Sequence, residues 1–592
     1  MKLAERILAW ELVWPLPLLV IGILGLQVPL LVILSLVLAC MPWLARWIVT
    51  GRITRPSFLG NALGLLAISA GIGVWAAYDR ALSWPMLLTL LGSLSLFFAI
   101  INSDAPTRHI AGGLAVAAGL LALYFVGQYA HFGYGEAVGR RPGYLGGLTG
   151  SLLPRLVLFT PDPNAMAGFL EGALLASLAL AWSARGRGRW AWGCAAALIG
   201  YALLITGSRG AWVGVAVALA MGALLLIPSR ALRLALGALG IAGAVAAVSF
   251  AGRLAASGQQ LVFFSSALDT AGNRLALYLN SLHLLADYPL TGIGLGDTFA
   301  MVYSRYQLLI LVPFLTYSHN LFLSVALGQG VLGLLALAWL LIGFYVFAAR
   351  VELAGVRQPS LFLFRAAWLG ATATFVHGLI DSPQFSASRW TMPMLFALLG
   401  LAIRIGLPAT ARLEWGVGRR GWRWIGPAAV ALTLIVAGLV FRQQLAGAWQ
   451  ANLGALYQTQ AELAPDLDDI GRETAMAQAV AHFERTLVIS PAHPAANRRL
   501  GLIALGRQDF ETAAAYLERA YPLERSNQAT LKALGYAYLW TGRLDPAREL
   551  FRQVQLRSEL VKELDYWRWW WGEQGQPDLA RYAEEMKERL EH

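Results

Sequence analysis

The chain has 592 residues, 57% of them hydrophobic and only 14% charged, with a formal net charge of +12. Soluble domains carry about a quarter charged residues, and no water-soluble core absorbs this much apolar sequence, so a wholly soluble globular protein is excluded. In a soluble protein the positive charge would point to nucleic acid; here the arginines cluster in short loops between apolar stretches, where they set membrane orientation, and no nucleic-acid partner is expected.

From Ile7 onward, apolar stretches of about 18 to 25 residues recur, each long enough to cross about 30 Å of hydrocarbon as a helix. The expected fold class is all-α, a polytopic transmembrane bundle over residues 1–445. Its spans, about thirteen, begin near Ile7, Val28, Phe58, Trp84, Ile110, Ala165, Trp190, Ala211, Ala231, Asn320, Leu361, Trp390 and Ile425. The first stretch has the look of a signal peptide, but a second span follows at once and a small-residue cleavage site is lacking, so it is read as retained. With the N-terminus inside, the inner loops carry Lys2 and Arg6; Arg46, Arg52 and Arg55; Arg108; Arg185, Arg187 and Arg189; Arg230 and Arg233; Arg350 and Arg357; and Arg404 to Arg423. The outer connections carry far fewer, as the positive-inside rule requires. Two outer segments, 131–164 and 251–319, are long enough to be functional loops. The second holds a helix-like run, with Leu275, Leu279, Leu282 and Leu285 at helical spacing, and then a turn-rich stretch with Gly292, Gly294 and Gly296.

Beyond Arg442 the composition turns polar and a period of 34 residues emerges: Gly501 with Gly535, Ala513 with Ala547, Leu517 with Phe551. That period and small/large pattern are those of tetratricopeptide repeats, which gives a helical-repeat domain over 446–592, placed outside by the thirteenth span. A half-repeat at Asn452 to Ala464 is expected to be separated from its partner helix by the acidic insert Asp466 to Glu473. The tail Tyr566 to Trp571, with four tryptophans, reads as a terminal packing helix or an aromatic strip at a membrane interface.

The residues that could carry chemistry collect on the outer face. Arg209, in Thr206-Gly207-Ser208-Arg209-Gly210, stands between two spans with almost no loop; alone it could simply snorkel to the interface. Arg274 opens the amphipathic run, and alone reads as a solvated cation. His319-Asn320 sits where the loop re-enters the membrane, and an imidazole there can serve as a general base or as a hydrogen-bonded structural group. Together, two guanidinium forks and one imidazole suit a bound diphosphate and a hydroxyl that must lose its proton. Arg155 and Asp162-Pro163-Asn164 add a cation and polar groups for substrate binding.

Other motifs are set aside. Gly292-Ile293-Gly294-Leu295-Gly296 lies outside any βαβ unit and is no dinucleotide fingerprint. Asp466-Leu467-Asp468 reads as a linker or helix cap. His377 and Asp381, four apart, permit a proton relay or an internal hydrogen bond. Cys40 and Cys194 lie in apolar stretches, so no cysteine metal site or disulfide framework exists; no P-loop is present, and neither metal nor cofactor is expected.

In this set the sequence resembles the O-antigen ligase superfamily of membrane glycosyltransferases, which includes O-antigen ligases, O-antigen polymerases and O-linked oligosaccharyltransferases. His319-Asn320, nine residues, Gly330, two residues, Gly333 is similar to the ligase signature, and Pro163-Asn164, Ser208-Arg209-Gly210 and the Gly292-to-Gly296 run ahead of Phe299 fall in the expected order. The resemblance spans about Leu145 to Asp381. It implies transfer of a glycan from an undecaprenyl-diphosphate-linked donor to a glycolipid, glycan or protein acceptor, at the outer face of a bacterial cytoplasmic membrane, without metal. In that reaction Arg209 and Arg274 would bind the leaving diphosphate and His319 would orient or deprotonate the acceptor. Arg155, Asn164 and Asn320 would bind substrate. The repeat domain, absent from simpler ligases, is expected to recruit an acceptor or a protein partner. A polymerase is the nearest alternative, a lipid-linked glycan flippase a reading from another class, and a noncatalytic membrane anchor for a repeat scaffold a third.

Overall fold

A computed structural model describes residues 2–55, 57–134, 139–150, 153–229, 231–240, 242, 265–354, 360–410 and 438–591. All regular elements among the described residues are helical. The first half comprises α1 (Lys2–Ala9), α2 (Leu16–Leu24), α3 (Pro29–Thr50), α4 (Gly60–Ala76), α5 (Arg80–Asn102), α6 (Thr107–Gln128), α7 (Arg140–Gly150), α8 (Pro163–Ser183), α9 (Arg187–Ile205), α10 (Arg209–Leu226) and α11 (Ala231–Gly240). Then come α12 (Ser265–Asp287), the short α13 (Phe299–Tyr303), α14 (Leu321–Leu353), α15 (Ser360–His377) and α16 (Met392–Thr410).

Eight of the described helices are long and apolar enough to cross a membrane, which makes this a multi-pass membrane protein. They match the starts expected at Val28, Trp84, Ile110, Ala165, Trp190, Ala211, Asn320 and Trp390. Four of the other five differ for identifiable reasons. The Ile7 stretch is two short helices, the second entered through Pro15. The Phe58 and Ala231 stretches are shorter apolar helices. The Leu361 stretch is α15, made less apolar by Arg365 and its own threonines. The span expected near Ile425 lies outside the described residues.

Helices α5, α8 and α16 form the inside of the bundle: 78%, 72% and 78% of their apolar windows are buried, against 28% for α3, α9 and α10, whose outward faces are left for lipid. Inside, some hydroxyls satisfy themselves on their own helix; Thr89 donates to the Pro85 carbonyl (2.8 Å) and Ser93 to that of Thr89 (2.7 Å). Helices α10 and α15 pack so closely that a Cβ on Gly214 would lie 2.5 Å from the Ala373 carbonyl oxygen. At one end of the bundle, Arg46 pairs with buried Glu11 (2.6 Å), Arg55 with Asp104 (2.6 Å), and Arg404 donates to the Ile100 and Ala105 carbonyls. These are among the arginines assigned above to the inner loops.

The second half is a stack of helix pairs: α17 (Arg442–Leu463), α18 (Asp469–Ile489), α19 (Pro494–Gly506), α20 (Phe510–Ala520), α21 (Gln528–Trp540), α22 (Leu544–Phe551), α23 (Arg557–Glu573) and α24 (Pro577–Glu591). The period of 34 recurs as packing: Leu517 lies under Gly501 and Phe551 under Gly535, so each repeat's large residue fills the space its glycine leaves. The acidic insert is a tight turn and no wider separation, since α17 and α18 pack directly together and Asp468 caps α18 by accepting from the Gly471 N–H (2.8 Å). The tryptophan-rich tail forms α23, whose Trp571 is buried against Trp540 and Phe510.

The repeat helices are fastened to α12 and the segment behind it. Asp287, at the end of α12, is buried and bonded by both Arg498 and Arg499, and Arg498 also pairs with Glu524. Burial alone would raise Asp287, but the two guanidinium charges and their hydrogen bonds outweigh it and hold the carboxyl below its usual range. Asn452 accepts from the Leu290 N–H (3.0 Å), Tyr288 bonds Thr459 (2.5 Å), and Arg305 pairs with Glu462 (2.6 Å).

Candidate functional site

Four helix ends meet at the end of the bundle away from Arg46 and Arg404. Helix α8 begins after Asp162, whose carboxylate accepts from the Ala165 N–H (2.9 Å). Helix α10 begins at Arg209 itself. Helix α14 begins after Asn320, whose side-chain oxygen accepts from the Phe322 and Leu323 N–H groups (3.0 Å each) while its amide donates to the Leu379 carbonyl (3.0 Å). Helix α15 ends at His377, and its last turn is stitched to α14 by the Leu321 N–H on the Gly378 carbonyl (2.7 Å).

His319 precedes this cap with a φ of 50°, left-handed and unusual for histidine. Its backbone carbonyl accepts from the Tyr278 hydroxyl (2.8 Å), its ring packs on Tyr317 with centroids 4.1 Å apart, and its Nδ1 lies 3.3 Å from Asp381 Oδ1. That contact leaves Nε2 without a partner among the described residues, on a side chain 26% exposed. An imidazole oriented at one nitrogen and open at the other is the arrangement a general base needs. Burial works to raise Asp381, yet the hydrogen bond and charge of His319, the charge of His377 and the Ser382 N–H together hold it below the ordinary carboxylate range. Burial raises Asp162, and Asp381 adds to that through space.

Arg274, one helical turn before Tyr278 on α12, donates to the Ile380 carbonyl, next to Asp381. Arg209 is exposed at the start of α10. Neither makes an ion pair among the described residues, so both guanidinium groups keep charge and donors for a ligand. Asn320 is spent on capping α14 and tying it to Leu379, and Asn164 lies half-buried in the first turn of α8 beside Asp162. Arg155 is exposed in a non-helical stretch anchored by Gln128, which bonds the Pro154 carbonyl and the Leu156 N–H. Arg155 makes no hydrogen bond to the other candidates among the described residues.

The side chains of His377 and Asp381 do not pair with each other, and their link is the Asp381 N–H on the His377 carbonyl (2.9 Å). His377 Nδ1 lies 3.1 Å from Glu171 of α8, and its Nε2 lies 3.4 Å from the Ser208 hydroxyl, one residue before Arg209. Glu171 and His377 are almost completely buried, so this carboxylate–imidazole–hydroxyl chain links α8, α15 and the start of α10 beneath the open site. The sequence reading passed over Glu171. Its signal was available: a lone carboxylate within an apolar span.

The signature glycines have a backbone role. Helix α14 kinks at Gly330 (φ 65°), and a Cβ there would stand 2.4 Å from the Leu290 carbonyl oxygen. Through that gap the Gly292–Gly296 segment crosses the helix, the Ile293 N–H donating to the Leu327 carbonyl (2.7 Å) and the Val331 N–H to that of Pro289 (2.8 Å). The crossing fixes the end of α12, and with it Arg274, relative to His319. Among the described residues no cluster of His, Cys, Asp and Glu could hold a metal ion.

A multi-pass helix bundle with two unpaired arginines and an oriented histidine at one end, joined to a helical-repeat stack, defines the class of protein. Residues 194–338 match the family described as O-antigen ligase and residues 504–559 match the tetratricopeptide repeat, so the chain carries an O-antigen ligase family domain and a C-terminal tetratricopeptide repeat. The first match contains Arg209, Arg274, His319 and Asn320; Arg155, Asn164, Glu171, His377 and Asp381 fall outside it. No curated protein matches the chain.

Proposed function

We propose that the protein is a metal-independent membrane glycosyltransferase of the ligase type, which moves a glycan from an undecaprenyl-diphosphate-linked donor to an acceptor hydroxyl. The observation that carries this reading is the convergence of Arg209, Arg274 and the His319–Asp381 pair at one end of the bundle, with the arginines and the histidine all inside the O-antigen ligase match. The acceptor oxygen attacks the anomeric carbon of the donor sugar as the bond from that carbon to the diphosphate oxygen breaks. The hydroxyl proton passes to His319 Nε2, and the lipid diphosphate departs with its charge offset by Arg209 and Arg274. Asp381 holds the ring through Nδ1 and stabilises the imidazolium. Glu171, through His377 and Ser208, positions the start of α10 and so Arg209.

In this reading residues 1–445 form the glycosyltransferase bundle and 446–592 the repeat domain. The repeat domain and segments 131–164 and 251–319 all lie outside the bacterial cytoplasmic membrane. The packing of the repeat helices on α12, which carries Arg274, supports a common side for the site and the repeats. A reporter active only outside, fused after Arg442, should be active; an intracellular signal would reverse the orientation.

The deciding assay is transfer from lipid-linked donor to acceptor by purified protein in EDTA. His319→Ala should lower turnover by about a hundredfold or more, the typical worth of a general base. Arg209→Lys keeps the charge but loses the planar fork and should also suffer. Normal turnover in His319→Ala, or a strict metal requirement, would defeat the mechanism. Product length separates a ligase, which adds one preassembled glycan, from a polymerase.

A further inference from the structure

A cleft outside the bundle lies between α23, the inner helices of the repeat stack and the Arg305–Leu309 segment, with a volume of about 390 Å³. One wall is set by the sequence of α23. Tyr566 and Trp570, and likewise Trp567 and Trp571, stand four residues apart and so lie one above the other on the helix. The rings in each pair are near parallel, at 16° and 24°. Trp567 and Trp570 are half-buried and Tyr566 is 52% exposed, so aromatic surface lines the opening; Trp571, at 3% exposure, has an indole N–H with no acceptor among the described residues.

Polar groups held in place complete the cleft. Across from the aromatic wall, Glu462 is fixed by Arg305 (2.6 Å) and Gln458 (2.9 Å); on α23 itself, Glu563 is held by Lys532 (2.7 Å) and the Tyr536 hydroxyl (2.8 Å). Aromatic faces opposite preoriented carboxylate, amide and guanidinium groups match a pyranose. Its C–H face is apolar and weakly positive toward a π-cloud, and its ring edge carries hydroxyls that both donate and accept. A lipid acyl chain would strip water from the ion-paired wall without replacing its hydrogen bonds. A strand-like peptide finds no sheet edge among the described residues.

We propose that this cleft is a carbohydrate-binding site that seats roughly two pyranose rings, the size class of a small-molecule pocket. The inference rests on the glycosyltransferase reading for its biological source of sugar. The geometry supplies the link, because the Arg305–Leu309 wall continues along the chain to His319, and the same wall receives Lys532 on the Leu308 and Leu309 carbonyls (3.1 Å each). A glycan held in the cleft is therefore tethered on the side of the candidate base.

The test uses the full chain in nanodiscs and reads tryptophan fluorescence and calorimetry, with no turnover required. One arm titrates oligosaccharide released by mild acid from the strain's own lipid-linked donor, a second the delipidated acceptor-type core oligosaccharide, and a third a proline-rich peptide. Saturable binding in either sugar arm is expected, and which arm binds identifies the source. Trp570→Ala should weaken that binding by about tenfold or more, the scale of one lost aromatic contact. Trp570→Phe should retain most of the affinity, and the exposed Tyr566→Ala guards against a folding artefact. No saturable binding of either sugar, binding unchanged in Trp570→Ala and Tyr566→Ala, or binding of the peptide alone would overturn the proposal. A protein that binds sugar here but transfers none defeats the enzymatic reading and leaves the cleft standing; a working transferase with a sugar-blind cleft does the reverse.

Discussion

Asp287→Asn should loosen the repeat domain from the bundle. Asp287 is completely buried and takes hydrogen bonds from Arg498 Nη2, Arg499 Nε (3.0 Å) and Arg499 Nη2 (2.7 Å). The amide removes the one carboxylate that pairs with Arg499 among the described residues, while Arg498 retains Glu524. Removing one partner of a buried pair costs about 3–5 kcal/mol because the other charge stays buried alone. Here the guanidinium of Arg499 still sits over the Tyr306 ring at 3.7 Å and bonds the Tyr288 hydroxyl at 3.0 Å, which puts the expected loss at the lower end, about 3 kcal/mol. At 1.4 kcal/mol per decade that is about a hundredfold increase in the opening constant of this contact. Hydrogen–deuterium exchange reads it directly: amides of α12 and α19 should exchange about a hundredfold faster in the variant, with the bundle helices unchanged. Asp287→Leu combined with Arg499→Leu should recover most of the protection, since the lone charge goes as well. Unchanged exchange in Asp287→Asn would refute the claim that this cluster joins the two halves.

The same group sets a pH dependence. Its carboxyl is held below the unfolded value of about 4, so its contribution is fully present above that value and is lost as pH falls through the folded one; the denaturation gap between wild type and Asp287→Asn should close below about pH 4. Gly330→Ala should fail to fold or lose most of its folded yield, because the residue has φ 65° and a Cβ would overlap the Leu290 carbonyl; Gly113→Ala, with nothing within 4 Å, serves as the control in detergent melts. Glu171→Leu should destabilise the bundle more than Glu171→Gln, by a margin of about 1–3 kcal/mol in thermal unfolding, since the amide can still bond His377; equal effects would mean the Glu171–His377 contact contributes nothing.

The membrane class was legible in the apolar stretches, because hydrocarbon demands long helices with internally satisfied backbones and leaves no other way to bury such a sequence. Eight starts expected from hydropathy fall on helices of spanning length. Others misjudged length or continuity, since hydropathy reports how apolar a stretch is and not where Pro15 or a tight turn breaks it. The 34-residue period was equally legible, as a repeat must present the same face to each neighbour. Arg209, Arg274 and His319 could be named as candidates because each stands where an apolar span or an amphipathic run begins.

What sequence alone could not decide is partnership. His377 and Asp381 sit four apart and invited side-chain pairing, yet the first turns to Glu171 on α8 and the second to His319 at the α14 cap. The glycines that resembled a nucleotide fingerprint serve a backbone crossing that exists only once α14 kinks. The aromatic tail became one wall of a cleft because distant Arg305 and Glu462 close the other. Composition and periodicity are properties of neighbours along the chain and set the class of fold; which charged group meets which depends on contacts between residues far apart in the sequence, and only packing in three dimensions fixes those.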